Sequence, residues 1–185
     1  MVFIASKKLK KIKFMTILKV LHYPDQRLKS VAKPVLNFDK KLNKLADDML
    51  ETMYSEKGIG LAAVQVNVLQ RVVVMDLSEE KNKPIIFINP EINEVSKETR
   101  EYNEGCLSVP GVYEKVQRPA IVKLKFQRLD GKLVEEEADE LLSVCIQHEI
   151  DHLEGIVFLD RLSRLKQEKI IKKLAKERKR QSIEV

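Results

Sequence analysis

The segment His148-Glu-Ile-Asp-His152 constrains the fold of this 185-residue chain more than any other. On a helix, residues four apart lie one turn above each other on the same face, so both imidazoles can reach one metal ion. Glu149 then stands beside the ion without binding it, in the position of a general base. Apolar residues flank the segment on both sides, and polar groups on an otherwise apolar helix need a reason to be buried. The pattern predicts a metal centre on a buried helix; the alternative is a solvated polar face on a structural helix.

A catalytic metal site needs a third protein ligand and one open position. Downstream carboxylates that could serve are Asp160 and Glu168. Cys145 shares the helix face of the two histidines, but it lies roughly 10 Å along the helix axis from His152, too far for a short thiolate. We therefore expect Cys145 to form a wall of the site. Cys106, in a Gly-Cys context within a β-rich region, is the other candidate ligand.

The net charge of +6 is unevenly distributed. Residues 1–14 contribute +5 and residues 164–185 contribute +6, so the remainder is mildly acidic at −5. Any polyanionic partner should therefore meet the ends of the chain and not its body. We expect residues 1–14 to be a disordered basic extension, residues 15–163 to form one catalytic domain, and residues 164–185 to add a basic helical tail.

Composition excludes several classes of protein. With 44% hydrophobic and 34% charged residues, the chain is neither disordered nor membrane-spanning, since its apolar runs are far shorter than a bilayer requires. Two cysteines do not make a disulfide framework, which favours a reducing compartment, the cytoplasm. We expect no membrane partner and no specific DNA binding.

Hydrophobic periodicity predicts an α+β fold, with mixed or antiparallel β-sheets packed around the central H-E-x-x-H helix. An N-terminal helix and a C-terminal amphipathic helix complete the expected fold. The predicted helices span residues 37–54, 139–154 and 163–180, and the predicted strands span 71–77, 84–92, 121–129 and 132–138. Asp130-Gly131 is a strong hairpin signal between the last two strands.

Three segments together resemble the peptide deformylases, and the similarity extends over residues 15–180. They are Gly58-Ile-Gly-Leu-Ala-Ala-Val-Gln65, Glu104-Gly-Cys-Leu-Ser108 and Gln147-His-Glu-Ile-Asp-His-Leu153. The resemblance implies hydrolytic removal of the N-formyl group from the formyl-methionine of new polypeptides, with release of formate. In this reaction a metal-bound water attacks the formyl carbon.

The resemblance also implies the roles of individual residues. The metal would be Fe(II), with Zn(II), Ni(II) or Co(II) as alternatives, because thiolate and imidazole suit several of these ions. The implied ligands are Cys106, His148 and His152; the implied catalytic groups are Glu149 as general base and acid, with the Gln65 amide and the Leu107 backbone N–H stabilising the oxyanion. The implied substrate-binding residues are Ile59, Gly60, Glu104, Gly105, Leu141, Val144 and Cys145. For Leu141 and Val144, ordinary core packing is the alternative, and His22 and Tyr113 receive no role.

The implied partners are formyl-methionyl nascent chains and the ribosome near its exit tunnel, reached through the basic C-terminal helix. The alternative for that helix is a solvated face, and we expect the enzyme to be a monomer.

The sequence leaves two alternative functions open. A catalytically silent, ribosome-binding relative would have no need of Glu149. A thermolysin-like peptidase with Glu168 as third ligand would leave the segment 104–108 unexplained.

Overall fold

The computed structural model describes residues 16–181. The predicted basic extension, residues 1–14, lies outside this range. The α-helices are α1 (Lys40–Ser55), α2 (Glu140–Leu153) and α3 (Arg164–Gln181), and the strands are β1 (Gly60–Ala62), β2 (Val72–Met75), β3 (Ile85–Val95), β4 (Thr99–Cys106), β5 (Val109–Pro119), β6 (Val122–Gln127) and β7 (Leu133–Ala138). Short 3₁₀ turns occupy Gln26–Lys29, Ala63–Val66 and Phe158–Arg161. The predicted α+β class is confirmed.

The strands form a five-stranded sheet in the order β1-β2-β3-β6-β7 and a separate two-stranded sheet of β4 and β5. Each pairing between these strands is antiparallel. Asp130-Gly131 lies in the turn between β6 and β7, which confirms the predicted hairpin.

The larger sheet is packed between two helices. Alternate residues of a strand point to opposite faces, and β2 follows this rule. Val73 and Met75 belong to a cluster with Ile146 of α2, whereas Val72 and Val74 belong to a cluster with residues of α1. Strand β2 is buried along its whole length as a result. This arrangement places α2, with its two histidines, against one face of the larger sheet.

Helix α1 begins at Lys40, three residues later than predicted. The carboxylate of Asp39 accepts hydrogen bonds from the backbone N–H groups of Lys41 and Leu42, at 2.8 and 3.0 Å. Aspartate in this position satisfies N–H groups that have no partner within the helix. Asp39 is therefore the cap, and Asn37 lies outside the helix.

Helix α2 ends before Gly155, as the sequence predicts. Gly155 has a φ of +72°, a conformation that side chains disfavour. A Cβ atom here would also collide with the backbone carbonyl oxygen of Lys29. The glycine thus lets the chain turn back against the segment that precedes α1.

Helix α3 lies against the two-stranded sheet. Its buried residues Ile170 and Leu174 form a cluster with Val109, Val112 and Val116 of β5. The rest of its surface is largely exposed. Within residues 16–181, no helix combines the length and the apolar character needed to cross a bilayer.

Candidate metal centre and active-site cleft

Cys106, His148 and His152 converge in the structure. Their ligand atoms all lie within 4.8 Å of one another, and Sγ of Cys106 is 3.2 Å from Nε2 of His152. Both imidazoles are buried and Cys106 is partly buried at the end of β4. The helix supplies the two histidines one turn apart, and the β4–β5 hairpin brings the thiol to them.

The other candidate third ligands lie elsewhere. The carboxylate of Asp160 accepts a hydrogen bond from the backbone of Val157 and pairs with Lys29. Glu168 is exposed on α3 and pairs with Arg164. Cys145 lines the cavity described below, and it does not belong to the ligand group.

The donor set fits a divalent metal ion. One thiol and two imidazoles are ligands that suit zinc and iron. Burial, together with the neighbouring His148, lowers the pKa of His152 well below its usual value, so its imidazole is neutral, the form that binds metals. Within the described residues, Nδ1 of His152 is buried without a hydrogen-bond partner.

A buried ionic network supports His148. Its Nδ1 lies 2.9 Å from a carboxylate oxygen of Glu104, and Arg118 donates a 2.9 Å hydrogen bond to the same carboxylate. Arg118 also donates to Asp151 at 2.9 Å, and Asp151 pairs in turn with Arg161. Burial alone would raise the pKa of Glu104, but the hydrogen bonds from Arg118 and His148 outweigh it and lower the pKa to about 2. Glu104 is therefore ionised at neutral pH.

Sequence reasoning did not find this network. It named Glu104 as a substrate-binding residue and gave no role to Arg118 or Arg161. Arg118 is 3% exposed, and its carboxylate partners are 14 and 33 residues away in the chain. The one available signal was Asp151, a second carboxylate inside the histidine segment.

Glu149 is buried beside the metal group. A Cβ atom at Gly60 would lie 2.5 Å from its Oε1, so a side chain at this position would push the carboxylate out of its place. Oε2 of Glu149 has no hydrogen-bond partner among the described residues. Burial raises the pKa of Glu149 to about 7, which suits a group that both accepts and returns a proton near neutral pH.

Gln65 is held with its amide nitrogen toward the same centre. Its Oε1 accepts a 2.8 Å hydrogen bond from the backbone N–H of Ala62. Its Nε2 donates to Oγ of Ser108 at 3.1 Å and lies 3.6 Å from Sγ of Cys106. The side chain is 1% exposed, so it is a fixed part of the site. Leu107, which follows Cys106, lines the cavity opposite Gly58.

These groups open onto a cavity of about 610 Å³. Apart from His152, which is fully buried behind it, every residue predicted for the site lines this cavity. They are Ile59, Gly60, Gln65, Glu104, Gly105, Cys106, Leu107, Leu141, Val144, Cys145, His148 and Glu149. His22 and Tyr113, which received no role, line it as well.

Two strand edges border the cavity. Among the described strands, β1 pairs only with β2, and β4 pairs only with β5. Gly60 of β1 and Gly105 of β4 both line the cleft. The cleft therefore offers two backbone edges to a ligand in extended conformation.

Comparison with known proteins identifies relatives over most of the chain. The sequence model of the family described as polypeptide deformylase matches residues 17–168. Peptide deformylase of Chromobacterium violaceum is 59% identical over 165 residues, which cover 89% of this chain and 98% of the relative. Peptide deformylase of Pseudomonas aeruginosa is 54% identical over 168 residues, covering 91% of this chain and all of the relative.

Solved structures agree. A peptide deformylase from Legionella pneumophila superposes with a TM-score of 0.85 at 44% identity, covering 90% of this chain and 98% of that one. The Ehrlichia chaffeensis peptide deformylase in complex with actinonin gives a TM-score of 0.83 at 40% identity, covering 88% and 98% of the two chains. With its fold, its cleft and its thiol–imidazole group, this chain belongs to the polypeptide deformylase family, metal-dependent hydrolases that remove the N-formyl group from nascent peptides.

Proposed function

We propose that Cys106, His148 and His152 hold one divalent metal ion, Fe(II), and that the surrounding residues divide the deformylation reaction among them. The convergence of these three ligand atoms beside the buried carboxylate of Glu149 carries this proposal. When bound, the ion supplies the Lewis acidity that makes water a nucleophile near neutral pH. Zn(II), Ni(II) and Co(II) are the alternatives, and metal analysis of anaerobically purified protein distinguishes them.

Glu149 moves the proton in this proposal. Its Oε2 takes a proton from the water that attacks the formyl carbon and later delivers it to the leaving amine nitrogen. The C–N bond of the formamide breaks, so formate and a free amine are the products. Burial supports this role, because it brings the pKa of the carboxyl group to about 7.

Gln65 and Leu107 stabilise the developing charge. As the water attacks, the formyl oxygen gains negative charge, and Nε2 of Gln65 and the backbone N–H of Leu107 donate hydrogen bonds to it. The amide of Gln65 is oriented in advance, because Ala62 holds its oxygen. Removing one such donor typically lowers kcat by about 10²–10³.

The substrate binds as an extended strand between the edges of β1 and β4, beside Gly60 and Gly105. Backbone pairing of this kind ignores most side chains, which suits an enzyme that processes many different chains. The methionine side chain enters the inner part of the cavity toward α2. Ile59, Leu141, Val144 and Cys145 line that part and support this assignment.

The defining experiment is formate release from formyl-Met-Ala-Ser with Glu149→Gln. We expect kcat to fall by about 10²–10⁴ while the variant retains bound metal. Glu140→Gln, which changes an exposed carboxylate on the same helix, is the matched control. Equal activity of Glu149→Gln and the unaltered protein would remove Glu149 from the mechanism. If the protein were a catalytically silent relative, neither the unaltered protein nor the Glu149→Gln variant would release formate.

We also propose that α3 docks on the ribosome. In this proposal the enzyme is a monomer and lies in the cytoplasm. The buried residues Ile170 and Leu174 hold α3 in place, whereas Lys169, Lys172 and Lys176 are exposed. Changing these three lysines to glutamate should abolish co-sedimentation with ribosomes and spare formate release from free peptides. Binding of the unaltered protein should weaken steeply with added salt. Salt-independent binding, or binding that survives charge reversal, would contradict docking.

The remaining assignments have separate tests. Light scattering after gel filtration tests the monomer, and cell fractionation tests the cytoplasmic location. A chain that begins at Met15 should release formate as fast as the full chain, because residues 15–163 form the catalytic domain in this proposal.

A further inference from the structure

The side-chain amide of Gln65 is held at both of its ends. Its Oε1 accepts a 2.8 Å hydrogen bond from the backbone N–H of Ala62, and its Nε2 donates a 3.1 Å hydrogen bond to Oγ of Ser108. Because a backbone N–H can only donate, the oxygen of the amide must face Ala62 and the nitrogen must face Ser108. These two contacts therefore decide which way round the amide lies.

The amide nitrogen has a second N–H group beyond the one that bonds Ser108. A primary amide carries two N–H groups, and the hydroxyl oxygen of Ser108 takes only one of them. Sγ of Cys106 lies 3.6 Å from Nε2, so the nitrogen stands beside the proposed metal ligands. In the proposed mechanism, the second N–H group donates to the formyl oxygen of the substrate.

Ser108 joins the two segments that carry the proposed oxyanion donors. Gln65 lies in the 3₁₀ turn after β1, whereas Leu107 and Ser108 lie between β4 and β5. One short segment holds the backbones of both. The N–H of Leu21 donates to the carbonyl oxygen of Gln65 at 2.8 Å, and the N–H of Tyr23 donates to that of Ser108 at the same distance. The hydroxyl of Ser108 then ties the amide itself to the residue that follows Leu107.

We propose that Ser108 is a positioning residue for deformylation, and that its hydroxyl aims the amide of Gln65 at the oxyanion. This inference rests on the proposed function, in which Gln65 and Leu107 stabilise that charge. Such donors are effective because they are fixed before the reaction begins. The last torsion of a glutamine side chain has broad energy minima, so an amide that has lost its contact with Ser108 turns away from the direction the oxyanion requires.

The experiment measures kcat and KM for formyl-Met-Ala-Ser with Ser108→Ala. We expect kcat to fall by about 10- to 100-fold while KM stays unchanged, because the donor acts on charge that develops only in the transition state. Ser143→Ala is the matched control and should keep its kcat. Ser143 is also fully buried, and its Oγ accepts a 2.9 Å hydrogen bond from Gln147, but neither residue lines the active-site cavity.

A double-mutant cycle separates positioning from a purely structural role. Gln65→Ala should lower kcat by about 10²–10³. Adding Ser108→Ala to this variant should lower kcat no further, since the hydroxyl acts through the amide. Losses that multiply, or equal kcat values for Ser108→Ala and Ser143→Ala, would overturn this inference and leave the proposed mechanism in place. Full activity of Gln65→Ala would instead overturn the oxyanion role of Gln65, and this inference with it.

Relaxation of the side-chain ¹⁵N nucleus of Gln65 tests the inference without catalysis. In Zn(II)-loaded protein, its NH₂ group should be as rigid as ordered backbone, with an order parameter of about 0.85. We expect this value to fall below about 0.6 in Ser108→Ala and to stay high in Ser143→Ala. The signal is assigned by its loss in Gln65→Ala. A mobile amide in the unaltered protein would overturn the inference, and that measurement does not depend on the folding of any variant.

Discussion

Nδ1 of His148 lies 2.9 Å from Oε2 of Glu104, and this contact joins α2 to the strand that carries Cys106. Because Glu104 is ionised, it accepts a hydrogen bond from Nδ1–H, so Nε2 of His148 is the nitrogen available to a metal ion. The carboxylate therefore fixes both the tautomer and the orientation of one proposed metal ligand. Carboxylates that orient histidine ligands in this way raise metal affinity in other proteins.

Glu104→Gln should weaken metal binding. The amide removes the negative charge that orients His148, and we expect the affinity for Zn(II) to fall by about 10- to 100-fold. Competition with a chromophoric chelator measures this affinity. Glu114→Gln is the control, because Glu114 lies opposite Glu104 in β5 but pairs with Lys166 of α3. Equal affinities for the two variants would mean that Glu104 does not orient the ligand.

Arg118→Met should destabilise the fold. The change removes the cation between the buried carboxylates of Glu104 and Asp151, and breaking a buried ion pair from one side costs about 3–5 kcal/mol. Urea unfolding measures the loss in free energy of unfolding. Arg100 is directly opposite Arg118 in the strand pairing, and its partner Glu98 is exposed. Arg100→Met should leave the stability nearly unchanged, and a similar loss in both variants would contradict the importance of burial.

Ionisation of Asp76 should make the free energy of unfolding depend on pH in the acid range. Burial raises its pKa, but hydrogen bonds from Ser78, Tyr54 and the backbone of Lys83 outweigh this and lower the pKa below 3.8. The unfolded chain then binds the proton more readily than the folded chain. The stabilisation is fully present above pH 3.8 and is lost as the pH falls through the lower, folded-state pKa.

Asp76→Asn tests this dependence. We expect the variant to be about 1–3 kcal/mol less stable than the unaltered protein at pH 7, with a gap that closes as the pH falls below the ordinary carboxyl pKa. Urea unfolding at several pH values measures the gap. Glu80→Gln, at an exposed carboxylate in the same loop, should show none. A gap that stays constant down to the lowest pH would rule out the ionised carboxylate as its source.

Local patterns predicted part of this structure well. Residues four apart on an apolar helix sufficed to bring His148 and His152 together, because helix geometry is the same in every protein. The β4–β5 hairpin was missed for a physical reason. Much of β4 is exposed on both faces, so it lacks the alternation that reveals a half-buried strand.

Contacts between residues that are far apart in the sequence were the other part of the structure that local patterns did not predict. In the sequence, nothing distinguishes Arg118 from other basic residues of strands. Only folding brings Glu104 and Asp151 into contact with it. The role of Cys106 rested on resemblance, since no local spacing joins β4 to α2. Ser108 received no role, because a serine has no distinctive pattern until its contact with Gln65 is seen.

The two cysteines should differ sharply in reactivity. Cys145 is 8% exposed, and burial raises the pKa of its thiol to about 12. Since the thiolate is the reactive form, alkylation of Cys145 at pH 8 should be slower by about a thousandfold or more than that of an ordinary thiol. In metal-free folded protein, iodoacetamide should therefore modify Cys106 first, as peptide mass spectrometry would show. Loading with Zn(II) should protect Cys106, and urea should expose both thiols. Modification of Cys106 at the same rate with and without the metal would contradict its assignment as a ligand.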